Sequence, residues 1–263
     1  MISDTIASAF SCRRAQGRAA LVPYVTAGHP GHDGTVDLLE ALSRAGADVL
    51  ELGIPFSDPL ADGPTIQRSS FQSLAQGTTV ARVLEDLRTF RTRRPTPVVL
   101  FTYLNPILRY GVGDFLTDAV EGGAQGLLVT DLPQGADPSL EERIRASGLD
   151  LIRLVAPTTL PDRVPRIAAG GSGFLYYISR TGVTGAQTTL RDTLGEEVGR
   201  IRQAVSLPVA VGFGISTPGQ AAEVAAVADG VVVGSALIRA LDEGGIEEGV
   251  RFVASLRQGM DAC

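Results

Sequence analysis

The sequence predicts an α/β chain closed into a (β/α)8, or TIM, barrel with an extra N-terminal helix, one domain over residues 1–263, and three observations lead there. Short apolar, β-rich runs alternate with longer stretches of helical period. Eight such units follow one another, and no Pro/Ser-rich linker interrupts them. Length alone is compatible with one large domain or two small ones. The uninterrupted rhythm favours one closed barrel over a doubly wound open sheet, which stands as the structural alternative.

A helix is expected at Ile2–Arg14, before the first strand. The eight strands are expected at Ala20–Thr26, Asp48–Ile54, Val98–Leu104, Gly126–Leu132, Asp150–Ala156, Gly173–Ser179, Pro208–Phe213 and Gly230–Val233. Between them the 3.6-residue period predicts helices that include Val36–Ala45, Val80–Arg91, Pro138–Ser147, Leu190–Val205 and Pro218–Val227. A short helical segment at Ala236–Leu241 follows the last strand, and Ile246–Arg257 closes the chain. The pairs Ala45-Gly46, Ser147-Gly148 and Gly170-Gly171 mark helix ends at which glycine can take the left-handed conformation.

Composition excludes several classes of function. A net charge of −6 without a prominent basic cluster argues against nucleic acid as a partner. No apolar run approaches a membrane span, and Met1–Gly17 lacks the pattern of a secretory leader, so a cytoplasmic location is expected. Cys12 and Cys263 lie near opposite termini without metal-ligand spacing and read as free thiols. His29 and His32 share one polar loop, where solvated side chains are expected rather than metal ligands. The chain has no lysine: all 23 basic residues are arginine.

In a barrel of this kind the chemistry sits where strands run into the following helices. The second strand and its loop read Leu50-Glu51-Leu52-Gly53-Ile54-Pro55-Phe56-Ser57-Asp58-Pro59-Leu60-Ala61-Asp62-Gly63-Pro64. Alternation turns Leu50, Leu52 and Ile54 toward the helices and Val49, Glu51 and Gly53 toward the barrel axis. A carboxylate in that position must be paired, hydrogen-bonded or held neutral, unless it reaches solvent at the strand end. Asp62, before glycine, suits an ordinary turn; together with Glu51 it offers two carboxylates in unlike environments, able to take opposite protonation roles.

Gly212-Phe213-Gly214-Ile215-Ser216 and Gly234-Ser235-Ala236 end the last two strands, and the second leads into a helix. Adjacent glycine turns with free N–H groups at a helix start suit a phosphate dianion, although glycines also serve tight packing. Ser179-Arg180-Thr181-Gly182-Val183-Thr184-Gly185 reads as a glycine-flanked loop, either a lid or a plain connection.

The run from Glu51 to Gln67 resembles the signature of tryptophan synthase α subunits. The likeness continues through Val22-Pro23-Tyr24, Thr102-Tyr103-Leu104-Asn105-Pro106, Asp131-Leu132-Pro133, Ser179–Gly185, Gly212–Ser216 and Gly234-Ser235. It implies a carbon–carbon lyase that splits indole-3-glycerol phosphate into indole and glyceraldehyde 3-phosphate, with Glu51 as general acid/base and Asp62 on the indole N–H. It places Tyr24, Phe101, Tyr103, Asp131, Tyr176 and Phe213 around the indole. The phosphate is assigned to backbone N–H groups at Gly185, Gly214, Gly234 and Ser235, and to the Ser235 hydroxyl. Thr184 and Arg180 belong to the lid, Thr184 meeting Asp62 on closure. Tyr24 stands where the family leads one to expect phenylalanine.

Such retro-aldol cleavage otherwise uses a lysine Schiff base or a metal, and a chain without lysine is left with carboxylate catalysis. The resemblance also implies a β subunit that carries pyridoxal phosphate, docked at Pro55, Asp58, Asn105 and Pro133 in an α2β2 heterotetramer; this chain is expected to hold no cofactor and no metal. Two other readings stand beside it: a free-standing lyase releasing indole for secondary metabolism, and a catalytically silent phosphate-binding regulatory subunit.

Overall fold

The computed structural model describes residues 5–178, 193–212 and 214–262. Its elements run α1 (Ile6–Ala15), β1 (Ala20–Thr26), α2 (Thr35–Arg44), β2 (Leu50–Gly53), α3 (Pro64–Ala75), α4 (Val80–Arg93) and β3 (Val98–Thr102). Then come α5 (Leu104–Tyr110), α6 (Val112–Glu121), β4 (Gly126–Val129), α7 (Pro138–Ala146), β5 (Asp150–Leu151), β6 (Arg153–Val155) and α8 (Val164–Ala169). The chain continues through β7 (Leu175–Ile178), α9 (Leu194–Ala204), β8 (Val209–Gly212), α10 (Pro218–Ala225), β9 (Gly230–Val233) and α11 (Ser235–Asp261).

The strand order is β5-β4-β3-β2-β1-β9-β8-β7-β6, with every neighbouring pair parallel. Its two end strands, β5 and β6, are halves of the expected fifth strand, parted at Ile152, whose N–H donates to Leu127 O at 3.0 Å. One half pairs with β4 and the other with β7, which brings the sheet around into a barrel of eight βα units.

Alternation along the strands produces two apolar layers. Leu21, Leu50, Leu52 and Leu100 face outward and pack with Leu38, Leu42 and Phe90 of the surrounding helices. Val22, Val49, Val99, Leu128, Phe174 and Val232 face inward and form the barrel core together with Ile6 and Phe10 of α1. The N-terminal helix therefore plugs the floor, where Phe10 and Phe174 stack with ring centroids 5.3 Å apart. Two glycines make that seat possible: a Cβ at Gly126 would lie 2.9 Å from Ile6 Cδ1, and one at Gly230 would lie 2.8 Å from Phe10 Cε1. At the opposite end, the mouth of the barrel, the partly buried Phe101, Leu154 and Tyr176 cap the inner core.

Local chemistry sets most helix ends. Thr5, Thr79, Asp137 and Thr217 each accept a backbone N–H from within the first turn through the side chain. Proline opens α3, α7 and α10, where its missing N–H has no helical partner to lose. Gly46 and Gly148 take the left-handed conformation expected of them, whereas at the Gly170-Gly171 pair that role passes to Gly173. The C-terminal helix is broken at Gly244 and Gly245, with φ +63° at the latter, which divides it as the two sequence segments anticipate. Among the described residues no helix is long and apolar enough to cross a membrane.

The structure shortens some expected strands. The second starts at Leu50, because the Asp48 carboxylate instead accepts the Leu21 N–H at 2.9 Å and pairs with Arg13 at 2.6 Å. The third ends at Thr102, because Leu104 already opens α5, its N–H donating to Asp131 Oδ1 at 2.7 Å. His29 departs from the solvated position expected of it: it is 3% exposed, with Nε2 3.1 Å from Asp242 Oδ1. His32 stays partly exposed, within 3.2 Å of Thr78 Oγ1. No cluster of three or more potential metal ligands occurs among the described residues. Cys12 is a free, exposed thiol, and Cys263 lies outside the described residues.

Candidate active site

Glu51 sits on β2 opposite Tyr24 of β1 and Val99 of β3, turned inward as alternation requires. It is 1% exposed, so it does not reach solvent at the strand end, and its Oε1 has no hydrogen-bond partner. Burial alone pushes its pKa up to about 8, because the low-dielectric surroundings disfavour the charged form.

Asp62 reaches the same mouth from the loop between β2 and α3. A turn holds it, its N–H donating to Pro59 O at 3.0 Å and its carbonyl accepting Gln67 Nε2 at 2.9 Å. The carboxyl is 7% exposed. Burial raises its pKa to about 6, and a hydrogen bond from the Tyr103 hydroxyl opposes part of that rise by favouring the anion. The same phenol oxygen accepts the Ala61 N–H at 3.0 Å, so Tyr103 fixes the loop and its carboxylate together. The Tyr103 ring packs against Phe56, centroids 5.3 Å apart.

Two aromatic side chains, Tyr24 and Tyr176, lie within electrostatic reach of both carboxyls. Tyr24 meets Phe101 edge-on, centroids 5.2 Å apart at 74°. Tyr176 of β7 carries its hydroxyl above Gly212, where a Cβ would lie 2.4 Å from the oxygen. Tyr24 does the same over Gly53, at 2.2 Å. Burial raises the pKa of both phenols well above the ordinary value, and the nearby Asp62 and Glu51 add to it, so they remain neutral donors. The glycines in β2 and β8 are thus cut to fit two phenols, a close approach that glycine inside a strand can signal. Leu154, Thr26 and Ser69 were not singled out by the sequence reading. Leu154 follows from inward parity on the fifth strand, whereas Ser69 comes from α3, which that reading did not specify.

The expected phosphate groups lie at the same end of the barrel. Gly214 has φ +82°, a backbone state open to glycine, and Gly234 precedes α11, whose first residue is Ser235. The first N–H groups of a helix have no helical acceptor and carry its positive dipole end. Phe213, Arg180, Thr184 and Gly185 lie outside the described residues.

Asp131 stands apart from the buried pair: it is exposed and engaged by Leu104 N–H. Asp58, Asn105 and Pro133 are exposed, as docking residues must be, whereas Pro55 is buried. Asn105 also lines a cavity of about 350 Å³, together with residues that include Phe56, Pro106 and Arg109.

Known proteins resemble this chain along almost its whole length. The family model for the tryptophan synthase alpha chain matches residues 10–261. Tryptophan synthase alpha chains are 48% identical over 259 residues in Geobacter sp. (strain M21), covering 97% of both chains, and 50% identical over 239 residues in Gluconacetobacter diazotrophicus, covering 90% of this chain and 87% of that one. Among solved structures, a chain of Mycobacterium tuberculosis tryptophan synthase superposes with a TM-score of 0.90 at 37% identity, covering 97% of each chain. Tryptophan synthase subunit alpha from Legionella pneumophila gives 0.88 at 39% identity, covering 98% of each. The chain belongs to the tryptophan synthase alpha chain family.

Proposed function

We propose that Glu51 and Asp62 divide the chemistry of the tryptophan synthase alpha reaction between them in this chain. As a member of that family, the chain is a lyase that cleaves indole-3-glycerol phosphate to indole and glyceraldehyde 3-phosphate. The reaction needs no cofactor here; pyridoxal phosphate belongs to the β subunit, with which the chain assembles as α2β2. The family assignment supports this reading over a free-standing lyase or a silent regulatory subunit.

One observation carries the division of roles: two carboxyls sharing one mouth are pushed up to about 8 and about 6. At neutral pH Glu51 therefore holds its proton and Asp62 is mostly ionised. Glu51 delivers the proton to indole C3, and Asp62 accepts the indole N–H and stabilises the positive charge that spreads onto the ring. With the ring now an electron acceptor, the carbanion equivalent leaves from the side-chain carbon. Glu51, just deprotonated, takes the proton from the glycerol hydroxyl as the aldehyde forms. No metal or imine is required, because the protonated ring is itself the electron sink.

The phosphate is assigned in this proposal to the N–H groups of Gly214, Gly234 and Ser235 and to the Ser235 hydroxyl, whereas Gly185, Thr184 and Arg180 fall outside the described residues. Tyr24, Phe101, Tyr103 and Tyr176 are assigned to the ring pocket, with Asp131 at its edge. The β subunit is assigned to the surface that carries exposed Asp58, Asn105 and Pro133, where Leu60 and Leu108 are exposed apolar side chains; Pro55, being buried, supports the loop from beneath. A cytoplasmic enzyme made of one domain fits the same reading.

The test is indole release by wild type, Glu51→Gln and Asp62→Asn, each with and without a β subunit, across pH. With one base ionised near 6 and one acid protonated up to about 8, kcat/KM is expected to peak between these values and fall on both sides. Asp62→Asn removes the charge that stabilises the ring cation and is expected to lose about a hundredfold in kcat. Near-wild-type turnover in either variant overturns the assignment.

A further inference from the structure

Three hydroxyls meet above the inner core. Tyr24 Oη lies 3.3 Å from Thr26 Oγ1, which lies 2.7 Å from Ser69 Oγ on α3. Ser69 Oγ in turn donates to Ile66 O at 2.8 Å. A carbonyl only accepts and a hydroxyl has one proton, so the direction of the whole line is fixed. Ser69 gives its proton to Ile66 O, Thr26 gives its own to Ser69, and Tyr24 gives its own to Thr26.

That direction matters for Glu51. Tyr24 and Glu51 are direct partners on adjacent strands with both side chains inward, and the phenol oxygen rests on Gly53, the next inward position beyond Glu51. Tyr24 is thus a donor well placed to serve the carboxyl, yet Glu51 Oε1 is buried without a partner.

We propose that Thr26 and Ser69 are positioning residues of the reaction: their hydroxyls hold the Tyr24 phenol proton turned away from Glu51, so that the acid/base has no hydrogen bond from this neighbour. A hydrogen bond to the ionised carboxylate stabilises it and makes the acid a poorer holder of its proton at neutral pH. The line prevents this. The inference rests on Glu51 being the acid/base. The titratable groups facing Glu51 are Tyr24 from β1, Tyr176 from β7 and Asp62 from the loop after β2; β3 presents Val99, which carries no charge.

The line can be cut at Ser69, which lies on α3 and is itself assigned to neither the ring nor the phosphate. In Ser69→Ala, Thr26 loses its acceptor and turns its proton to the phenol oxygen, and the phenol proton is released toward Glu51. The alkaline limb of kcat/KM is then expected to move acidward by about one pH unit. Tyr24→Phe alone leaves that limb in place, because the hydroxyl gives nothing to Glu51 in the wild type. The double variant Tyr24→Phe/Ser69→Ala also returns it to the wild-type position, with no phenol proton left to turn.

The experiment is the pH profile of indole release by these three variants beside wild type, assembled with the β subunit. An unmoved limb in Ser69→Ala, a shift that persists in the double variant, or an alkaline shift in Tyr24→Phe overturns the inference. Should Ser69→Ala not fold, Tyr24→Phe still decides between an unmoved limb and an alkaline shift. A purely structural role for Ser69 lowers stability or turnover without moving the limb. Failure of the underlying reading looks different, since it leaves Glu51→Gln active.

Discussion

Glu51→Gln is expected to lower indole formation by about 10³-fold while substrate still binds, because amide and acid have nearly the same shape but only the acid can give and take the proton. Its effect on stability has the opposite sign. The folded chain holds the Glu51 proton up to about 8, against an ordinary value of 4.5, so between these pH values the folded state binds more protons than the unfolded chain. Stability contributed by this group is full below the ordinary value, falls as pH rises through the window, and levels off above about 8. Burying the carboxylate above that pH costs on the order of a few kcal/mol. Thermal unfolding of wild type and Glu51→Gln is therefore expected to give the variant a higher Tm at pH 9 and little advantage at pH 5. Glu51 is thus a group that the fold alone does not favour in its ionised form.

The largest expected loss of stability comes from Arg153. Its guanidinium is almost wholly buried in an ion pair with Glu141, and it also donates to Leu132 O at 3.0 Å and to Gly170 O at 3.1 Å. Glu141 in turn accepts the Gly135 N–H at 2.7 Å. One arginine on the fifth strand thus ties down both ends of the loop after β4, the segment that carries Asp131 and Pro133. Arg153→Met leaves the Glu141 carboxylate buried with its main cationic partner gone, a loss of about 3–5 kcal/mol. For a chain of this length that lowers Tm by roughly 10 °C. Adding Glu141→Leu removes the stranded charge and is expected to recover part of the loss, because a buried pair replaced by apolar groups is close to neutral. Calorimetry on the single and double variants checks this; equal destabilisation by both contradicts it.

The barrel was legible in the sequence because strand alternation and helix period are local signals. β1 and β9 occur at the expected bounds, and the inward turn of Glu51 follows from parity alone. What the sequence did not disclose depends on residues far apart in the chain. The start of α5 looks like the end of a strand until Asp131 arrives, 27 positions away, to accept the Leu104 N–H. His29 reads as a loop residue, and only the approach of Asp242 from α11 shows it buried. Asp62 resembles any Asp-Gly turn, and its raised pKa arises from burial, against the opposing hydrogen bond of Tyr103, which follows β3.

Glu51 shows the same limit. Its position on the strand is written in the alternation, but its isolation is not, because isolation is a property of what the neighbouring strands and α3 fail to offer it. In the proposed line of hydroxyls, Tyr24 is turned elsewhere by the contact between Thr26 and Ser69, 43 positions apart. Gly212 reads in the sequence as part of a phosphate loop with tight packing as the alternative, and Gly53 only as an inward strand position; the structure gives both a packing role, each admitting a phenol.

The most direct test of the account is a crystal structure of the Glu51→Gln chain with indole-3-glycerol phosphate bound. The account predicts an indole ring lodged between residues 51 and 62, its N–H on the Asp62 carboxylate, and the phosphate on the backbone of Gly214, Gly234 and Ser235. A ring bound away from both side chains, or a phosphate held elsewhere on the barrel, contradicts it.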